Sequence, residues 1–352
     1  MRCFNGVGAD DVWRELADSL INRPDHKTAS RCGNTNEILQ CCLTIDNPKL
    51  RWILSRKPPY NPAYGLVEFI WIFNGEDDGG VLRFWNPQLP AFTGQEKKLH
   101  GAYGYRLRKT FAVDQVERAY RALTENPNSR QIVLQIWNPI QDLPEKDGSP
   151  TSQDVPCNIS SLLVIRDKRL YWTQIMRSND LMLGLPYNII QFTMLHEFFA
   201  SWLNCELGEY VHISNSMHVY ENSLKRHEAI NSPKTLNVAN KTLSINQTFE
   251  ESSNLLSSIY EDLKIISMIN SKNVNTGDLL HSIFSPLSDK NKNRPESIQN
   301  MLCVIGSDAA RRHGYIDLAN ILISKCSEIH LRIAAKHWLD RNIQQGSMEC
   351  LI

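Results

Sequence analysis

The 352-residue sequence predicts an α+β fold followed by an all-helical C-terminal extension. Three observations predict it. Up to about residue 240, runs with helical spacing alternate with short runs rich in β-branched and aromatic residues. Two of these runs, "NISSLLVIR" and "RLYWTQIMRS", flank Asp167-Lys168 and read as a hairpin. Beyond about residue 240, Ser, Asn and Lys increase, strand-like runs become rare, and the apolar runs keep helical spacing. The expected division is residues 1–240 and residues 241–352.

The elements follow in order. "DDVWRELADSLINR" is amphipathic and opens on aspartates suited to capping a helix. "RCGNTNEIL" is rich in Gly and Asn and reads as a turn. "AYGLVEFIWIFNG" predicts an apolar helix stopped by Gly75, and "DQVERAYRALTENPNS" an amphipathic one closed by Asn-Pro. "RQIVLQIWNP" is a strand ended by Pro139. "IQDLPEKDGSPTSQDVP" is a polar loop, expected to be mobile. After the hairpin, "NIIQFTMLHEFFASWLNCEL" is apolar on most faces and predicts a buried helix. "GEYVHIS" predicts a short strand. "TFEESSNLLSSIYEDLKIISMI", "TGDLLHSIFS", "RPESIQNMLCVIG", "SDAARRHGYIDLANILISKC" and "IHLRIAAKHWLD" are helical, joined by polar linkers such as "SDKNKNRPES".

Basic and acidic residues balance at 38 each, which speaks against a general nucleic-acid or membrane-surface binder. The first residues, "MRCFNGVGADDVW", lack the apolar core of a signal peptide, and no run is long enough to span a membrane. The nine cysteines are scattered, with no C-x-x-C. The expectation is a cytoplasmic chain without a zinc or disulfide framework.

The chemistry-bearing stretch runs from "PCN" to "GLPYN". Cys157 follows Pro156 where a polar loop meets a strand, so it reads either as a nucleophile facing a cleft or as a small buried hydrophobe. Thiolate chemistry needs a nearby cation. The hairpin returns Arg177 toward Cys157; otherwise Arg177 is a surface arginine paired with a carboxylate. Arg177-Ser178 suits a phosphate, and the turn at Gly184 lets backbone approach a ligand. Asn188 donates and accepts, matching the O4 and N3–H edge of uracil, or else caps a helix. His218 and Tyr220, two apart, would share one side of a strand and hold one hydroxyl-bearing ligand, or have unrelated partners.

Together, "PCN…QIMRSNDLMLGLPYNI…HISNSMHVYEN" resembles the thymidylate synthase superfamily, which includes the pyrimidine nucleotide hydroxymethylases. "SRCGNTNEI", "VEFIWIFNGEDD", "LHGAYGYRLR" and "NPNSRQIVLQIWNP" are similar to further family segments, so the resemblance covers roughly residues 10 to 240. It implies a mixed sheet with packed helices, a catalytic domain over 1–240, and a helical addition of unknown role over 241–352. It also implies folate-dependent one-carbon transfer to C5 of a uracil nucleotide such as dUMP, with 5,10-methylenetetrahydrofolate as cosubstrate and no metal.

The resemblance extends to residues. Cys157 is the implied nucleophile at C6. Glu68, Tyr103 and Asn188 complete the catalytic set: Glu68 orders water and moves protons, Tyr103 helps remove the C5 proton, and Asn188 binds the base. Arg31, Arg177 and Ser178 match phosphate ligands. Arg130 matches one supplied across a homodimer. His218 and Tyr220 match the 3′-hydroxyl ligands. Asp180 matches the pterin carboxylate, Trp85 the folate-side tryptophan, and Gly184 the turn beside it. Departures accompany the match. Asn158 stands where synthases usually have His, Met176 where Gln precedes Arg-Ser, Gln131 at a second Arg, and Gln88 at a second Trp. The closing "SMECLI" differs from the family's Pro-Val-Ala-Ile tail. A methyl product, a hydroxymethyl product and a nucleotide-binding protein without turnover all stay open on this pattern.

Overall fold

The structure is a computed structural model and describes residues 1–30, 33–224, 245–269 and 275–349. Seven strands form one mixed sheet: β1 (Arg2–Gly6), β2 (His26–Ser30), β3 (Gly33–Ile45), β4 (Ile132–Gln135), β5 (Asn158–Arg166), β6 (Arg169–Asp180) and β7 (Glu206–Tyr220). Their order is β1-β3-β7-β6-β5-β4, with β2 also on β3. β1/β3 and β6/β7 run parallel, and the other pairs antiparallel.

Nine α-helices accompany the described sheet region: α1 (Ala9–Asn22), α2 (Pro62–Phe73), α3 (Gly80–Trp85), α4 (Leu89–Thr93), α5 (Tyr103–Tyr105, continued by a π-helical turn over Arg106–Thr110), α6 (Gln115–Glu125), α7 (Pro139–Asp142), α8 (Leu185–Trp202) and α9 (Glu221–Leu224). The C-terminal region adds α10 (Phe249–Met268), α11 (Thr276–Phe284), α12 (Glu296–Arg312), α13 (Ile316–Ser324) and α14 (Ile329–Glu349). This is the α+β architecture with a helical C-terminal region that the sequence predicts. No described helix is long and apolar enough to cross a membrane.

Local chemistry explains most boundaries. Asp114 caps α6 by accepting from the Glu117 N–H, and Thr248 with Glu251 forms a capping box on α10. α2 ends just before Gly75, whose φ of +65° favours glycine. Asp167 and Lys168 both have positive φ, 49° and 59°, as a two-residue hairpin turn of matching twist requires.

Two expectations needed correction. "RCGNTNEIL", read as a turn, contributes the first half of β3 from Gly33 onward. Residues of β3 pair with β2 on one edge and β7 on the other, and that pairing outweighs a weak local preference for turn. β7 runs 15 residues, well beyond "GEYVHIS". Its pairing with β3 on one side and β6 on the other carries it through to Tyr220.

One face of the sheet is covered by α8. Trp172 of β6 packs its ring against Phe192, His196 and Phe199 of α8. Beneath α8 lies α2, where Phe69 stacks on Phe198 at 5.3 Å. Each fully buried ring of this kind contributes roughly 2–3 kcal/mol of transfer free energy. Helices α10, α12 and α14 pack on α2, so the C-terminal helices join the same hydrophobic cluster as the sheet region. The polar loop after Pro139 is anchored at its start and exposed from Leu143 to Thr151. Asp142 is fully buried and receives both Arg106 amino groups, at 2.6 and 2.9 Å, plus His100 at 3.0 Å.

Candidate active site

The β5–β6 hairpin sets the first distance. The Arg177 backbone N–H donates to the Cys157 carbonyl at 2.9 Å. The Arg177 guanidinium donates to the carbonyls of Pro156 (2.9 Å) and Val155 (3.0 Å) and lies 5.6 Å from the Trp137 ring centre. Arg177 therefore fixes the bend that presents half-buried Cys157, instead of pairing with a surface carboxylate. The bend is held from the other side by Asp154, whose carboxylate accepts from the Gly101 N–H at 2.9 Å. Burial pushes the Asp154 carboxyl up to about 6.

Tyr103 enters through a close helix contact. A Cβ on Gly104 would lie 2.1 Å from the Ile72 carbonyl oxygen, so only glycine lets α5 approach α2 this closely. Burial first, then the neighbouring Cys157, Glu68 and Asp154, drives the Tyr103 hydroxyl pKa well up. These groups, with Arg177, thus lie within electrostatic reach of one phenol.

Glu68 faces them from α2. Its Oε1 accepts from the Tyr64 hydroxyl at 3.2 Å, and its Oε2 accepts from the Gln191 amide. Gln191 Oε1 in turn accepts from the Asn188 amide at 3.1 Å. Burial raises the Glu68 carboxyl to about 7 against those two donors. The result is a continuous relay, Asn188–Gln191–Glu68–Tyr64, across α8 and α2. Asn188 is not the cap of α8, because Gly184 holds that position and Asn188 lies within the first turns. Gly184 has an ordinary φ of −91°; what it permits is close approach to Asn179, whose Oδ1 a Cβ would meet at 2.8 Å.

The strand ends supply the rest. Asp180 closes β6 and pairs in register with His218 of β7. Its Oδ1 accepts from the Met182 and Leu183 N–H groups, both at 2.6 Å. Its Oδ2 is buried without a hydrogen-bond partner, 3.9 Å from His218 Nε2. Burial raises the Asp180 carboxyl despite those donors and the His218 charge. The His218 and Tyr220 rings meet edge to face at 5.4 Å, as strand alternation predicts. Ser178 is half-buried on β6, opposite Ser216. Trp85, at the end of α3, is 1% exposed, with its indole N–H unpartnered. Arg130 is exposed, outside this cluster's contacts. Arg31 lies outside the described residues.

Tyr64 and Gln191 escaped the sequence reading. Their signal was helical spacing: Tyr64 precedes Glu68 by one turn, and Gln191 follows Asn188 by three residues. Two departures from the family pattern turn out to be neighbours, since Asn158 and Met176 are register partners across β5 and β6. Asn158 is fully buried, its Oδ1 accepting from Gln174 at 2.6 Å and its amide nitrogen left unpartnered.

Fold and cluster together define a buried polar cluster around a half-buried cysteine on a mixed sheet. The profile of the thymidylate synthase family matches residues 14–276, and the chain belongs to that family. Among curated relatives it is 29% identical over 231 residues to a deoxyuridylate hydroxymethyltransferase of Bacillus phage SP01, covering 62% of this chain and 59% of that protein. It is 33% identical over 168 residues to a deoxyuridylate hydroxymethyltransferase of Pseudomonas phage M6, covering 47% and 46%. It is 25% identical over 224 residues to thymidylate synthase 1 of Bacillus spizizenii, covering 62% and 78%. The matched region spans less than two thirds of either phage protein.

Proposed function

We propose that this chain transfers a one-carbon unit from 5,10-methylenetetrahydrofolate to C5 of a uracil nucleotide, converting dUMP to dTMP with release of dihydrofolate. The observation that carries the reading is the convergence of Cys157, Tyr103 and the Asn188–Gln191–Glu68 relay. Cys157 adds to C6, and the C5=C6 electrons move toward C5 and O4. Asn188 binds the O4 and N3 edge, Gln191 behind it fixes its orientation, and Glu68, a carboxyl poised near neutrality, exchanges a proton with that edge through an ordered water. Tyr103, kept protonated, orders the acceptor of the C5 proton. Arg177, Ser178, Arg31 and a partner copy's Arg130 hold the phosphate; His218 and Tyr220 hold the sugar hydroxyl.

The folate side fits the residues present. The buried, unpartnered Asp180 Oδ2 would accept from a pterin N–H, and Trp85 and Gly184 would line the folate side. The cosubstrate supplies the one-carbon unit and, for a methyl product, the hydride.

A second reading is a 5-hydroxymethylase, in which water rather than hydride completes the product and tetrahydrofolate is released. It is favoured by the names of the two phage relatives and by the paired Asn158–Met176 departure. We read the molecule as a cytoplasmic homodimer, with 1–240 catalytic and 241–352 a helical addition. The scattered cysteines fit a reducing compartment. The sheet face turned from α8, where Thr173, Ile175, Val211 and Ile213 are half-exposed, fits a partner copy.

The test is incubation with [5-³H]dUMP and methylenetetrahydrofolate, with the product identified by mass. Dihydrofolate with dTMP is expected. A hydroxymethyl nucleotide with tetrahydrofolate favours the second reading. Binding without tritium release rules out both. Cys157→Ser is expected to abolish release, and unchanged release removes Cys157 as nucleophile.

A further inference from the structure

Asp308, on α12, is a buried carboxylate that gathers donors from four residues. Its Oδ1 accepts from Arg311 at 3.0 and 2.9 Å and from Trp338 Nε1 at 3.0 Å. Its Oδ2 accepts from Arg312 Nε at 2.8 Å and from Asn61 Nδ2 at 3.0 Å. Three of the four donors belong to the C-terminal helices. Asn61 alone comes from the sheet region, where it caps α2.

Asn61 connects three site elements. It begins the helix that carries Glu68. Its backbone N–H donates to the hydroxyl of Tyr187, the neighbour of Asn188, at 3.2 Å. Its amide also reaches the Trp85 carbonyl at 3.4 Å. Arg312 donates to that same carbonyl, and its guanidinium lies 5.7 Å from the Phe84 ring centre. α3 is only six residues long, so its last carbonyl lacks an intrahelical donor and takes its position from these two outside groups. Without Asp308, Arg312 loses the counter-charge that aims it at Trp85. A buried ion cluster adds little net stability, and its stronger effect is to select one arrangement.

We infer that Asp308 and Arg312 are positioning residues for the folate side of the site, acting through Asn61 and the Trp85 carbonyl. The C-terminal helices thereby brace the cosubstrate wall from behind. This rests on the folate-dependent reading above.

The experiment measures dissociation constants by calorimetry on the full chain: dUMP alone, then tetrahydrofolate in saturating dUMP. In Asp308→Asn and in Arg312→Gln, the tetrahydrofolate constant is expected to rise about tenfold. The dUMP constant is expected to stay within about twofold. The double variant is expected to be no weaker than the worse single, since both act through one linkage. Arg312→Gln leaves the Arg311 and Trp338 contacts to Asp308 in place, so it keeps the test alive if Asp308→Asn fails to fold. Unchanged tetrahydrofolate affinity in a well-folded Arg312→Gln overturns the inference. So does equal weakening of both ligands in step with a lower melting temperature, the mark of a purely structural role. A wild-type chain that binds dUMP but no tetrahydrofolate overturns the folate reading itself, and the inference with it.

Discussion

At the scale of residues, Glu68 shows how burial converts an ordinary carboxyl into one that titrates near neutrality. Its folded pKa of about 7 stands above the ordinary 4.5, so the folded state holds the proton more tightly than the unfolded state. That contribution is fully present below about 4.5 and is lost as pH rises through 7. Glu68→Gln removes the titration. Relative to that variant, wild-type stability is expected to fall by on the order of 2 kcal/mol between pH 4.5 and 8, then level off. Urea unfolding of both proteins at several pH values checks this; parallel curves would mean that folding does not shift the Glu68 carboxyl. Asp180 belongs to the same scale. Two backbone donors hold one of its oxygens and leave the other buried and unpartnered, which is costly unless a ligand uses it.

At the scale of elements, two contacts carry the site. The first is α5 against α2. Gly104→Ala is expected to lower stability by about 2–4 kcal/mol and to cost most of the activity, because the added methyl meets the Ile72 backbone. Thermal melts with assays on the folded fraction separate the two effects. The second is the β5–β6 turn. Lys168 carries φ of 59°, a strain glycine does not feel, so Lys168→Gly is expected to stabilise the chain by about 0.5–1 kcal/mol. A lower melting temperature instead would show that the Lys168 side chain contributes more than the backbone strain costs.

At the scale of the whole molecule, the C-terminal helices share a core with α2. A chain ending at residue 244 leaves that helix's outer face bare. It is expected to aggregate or to lose its cooperative melt, and a sharp transition within about 5 °C of full length would contradict this. If each phosphate site borrows Arg130 from a partner, refolding a mixture of Cys157→Ser and Arg130→Ala, each inactive alone, restores up to about a quarter of wild-type activity. No recovery from a demonstrably mixed dimer would place Arg130 outside the site.

The sequence by itself determined the class of fold, the hairpin and the family. Period-two and helical spacings, turn residues at Asp167-Lys168 and the ordered run from Cys157 to Asn188 are all local signals, readable because each depends on near neighbours along the chain. It also determined which residue types were available for the chemistry. Only the tertiary structure decided that "GNTNEIL" is strand, since its partners on β2 and β7 lie on both sides in space. Only it joined Gln191 to Glu68 and Asn61 to Asp308, 123 and 247 residues apart. Such contacts arise when apolar faces pack and bring buried polar groups together. Once water is excluded, each of those groups must find a donor or acceptor wherever the fold has put one.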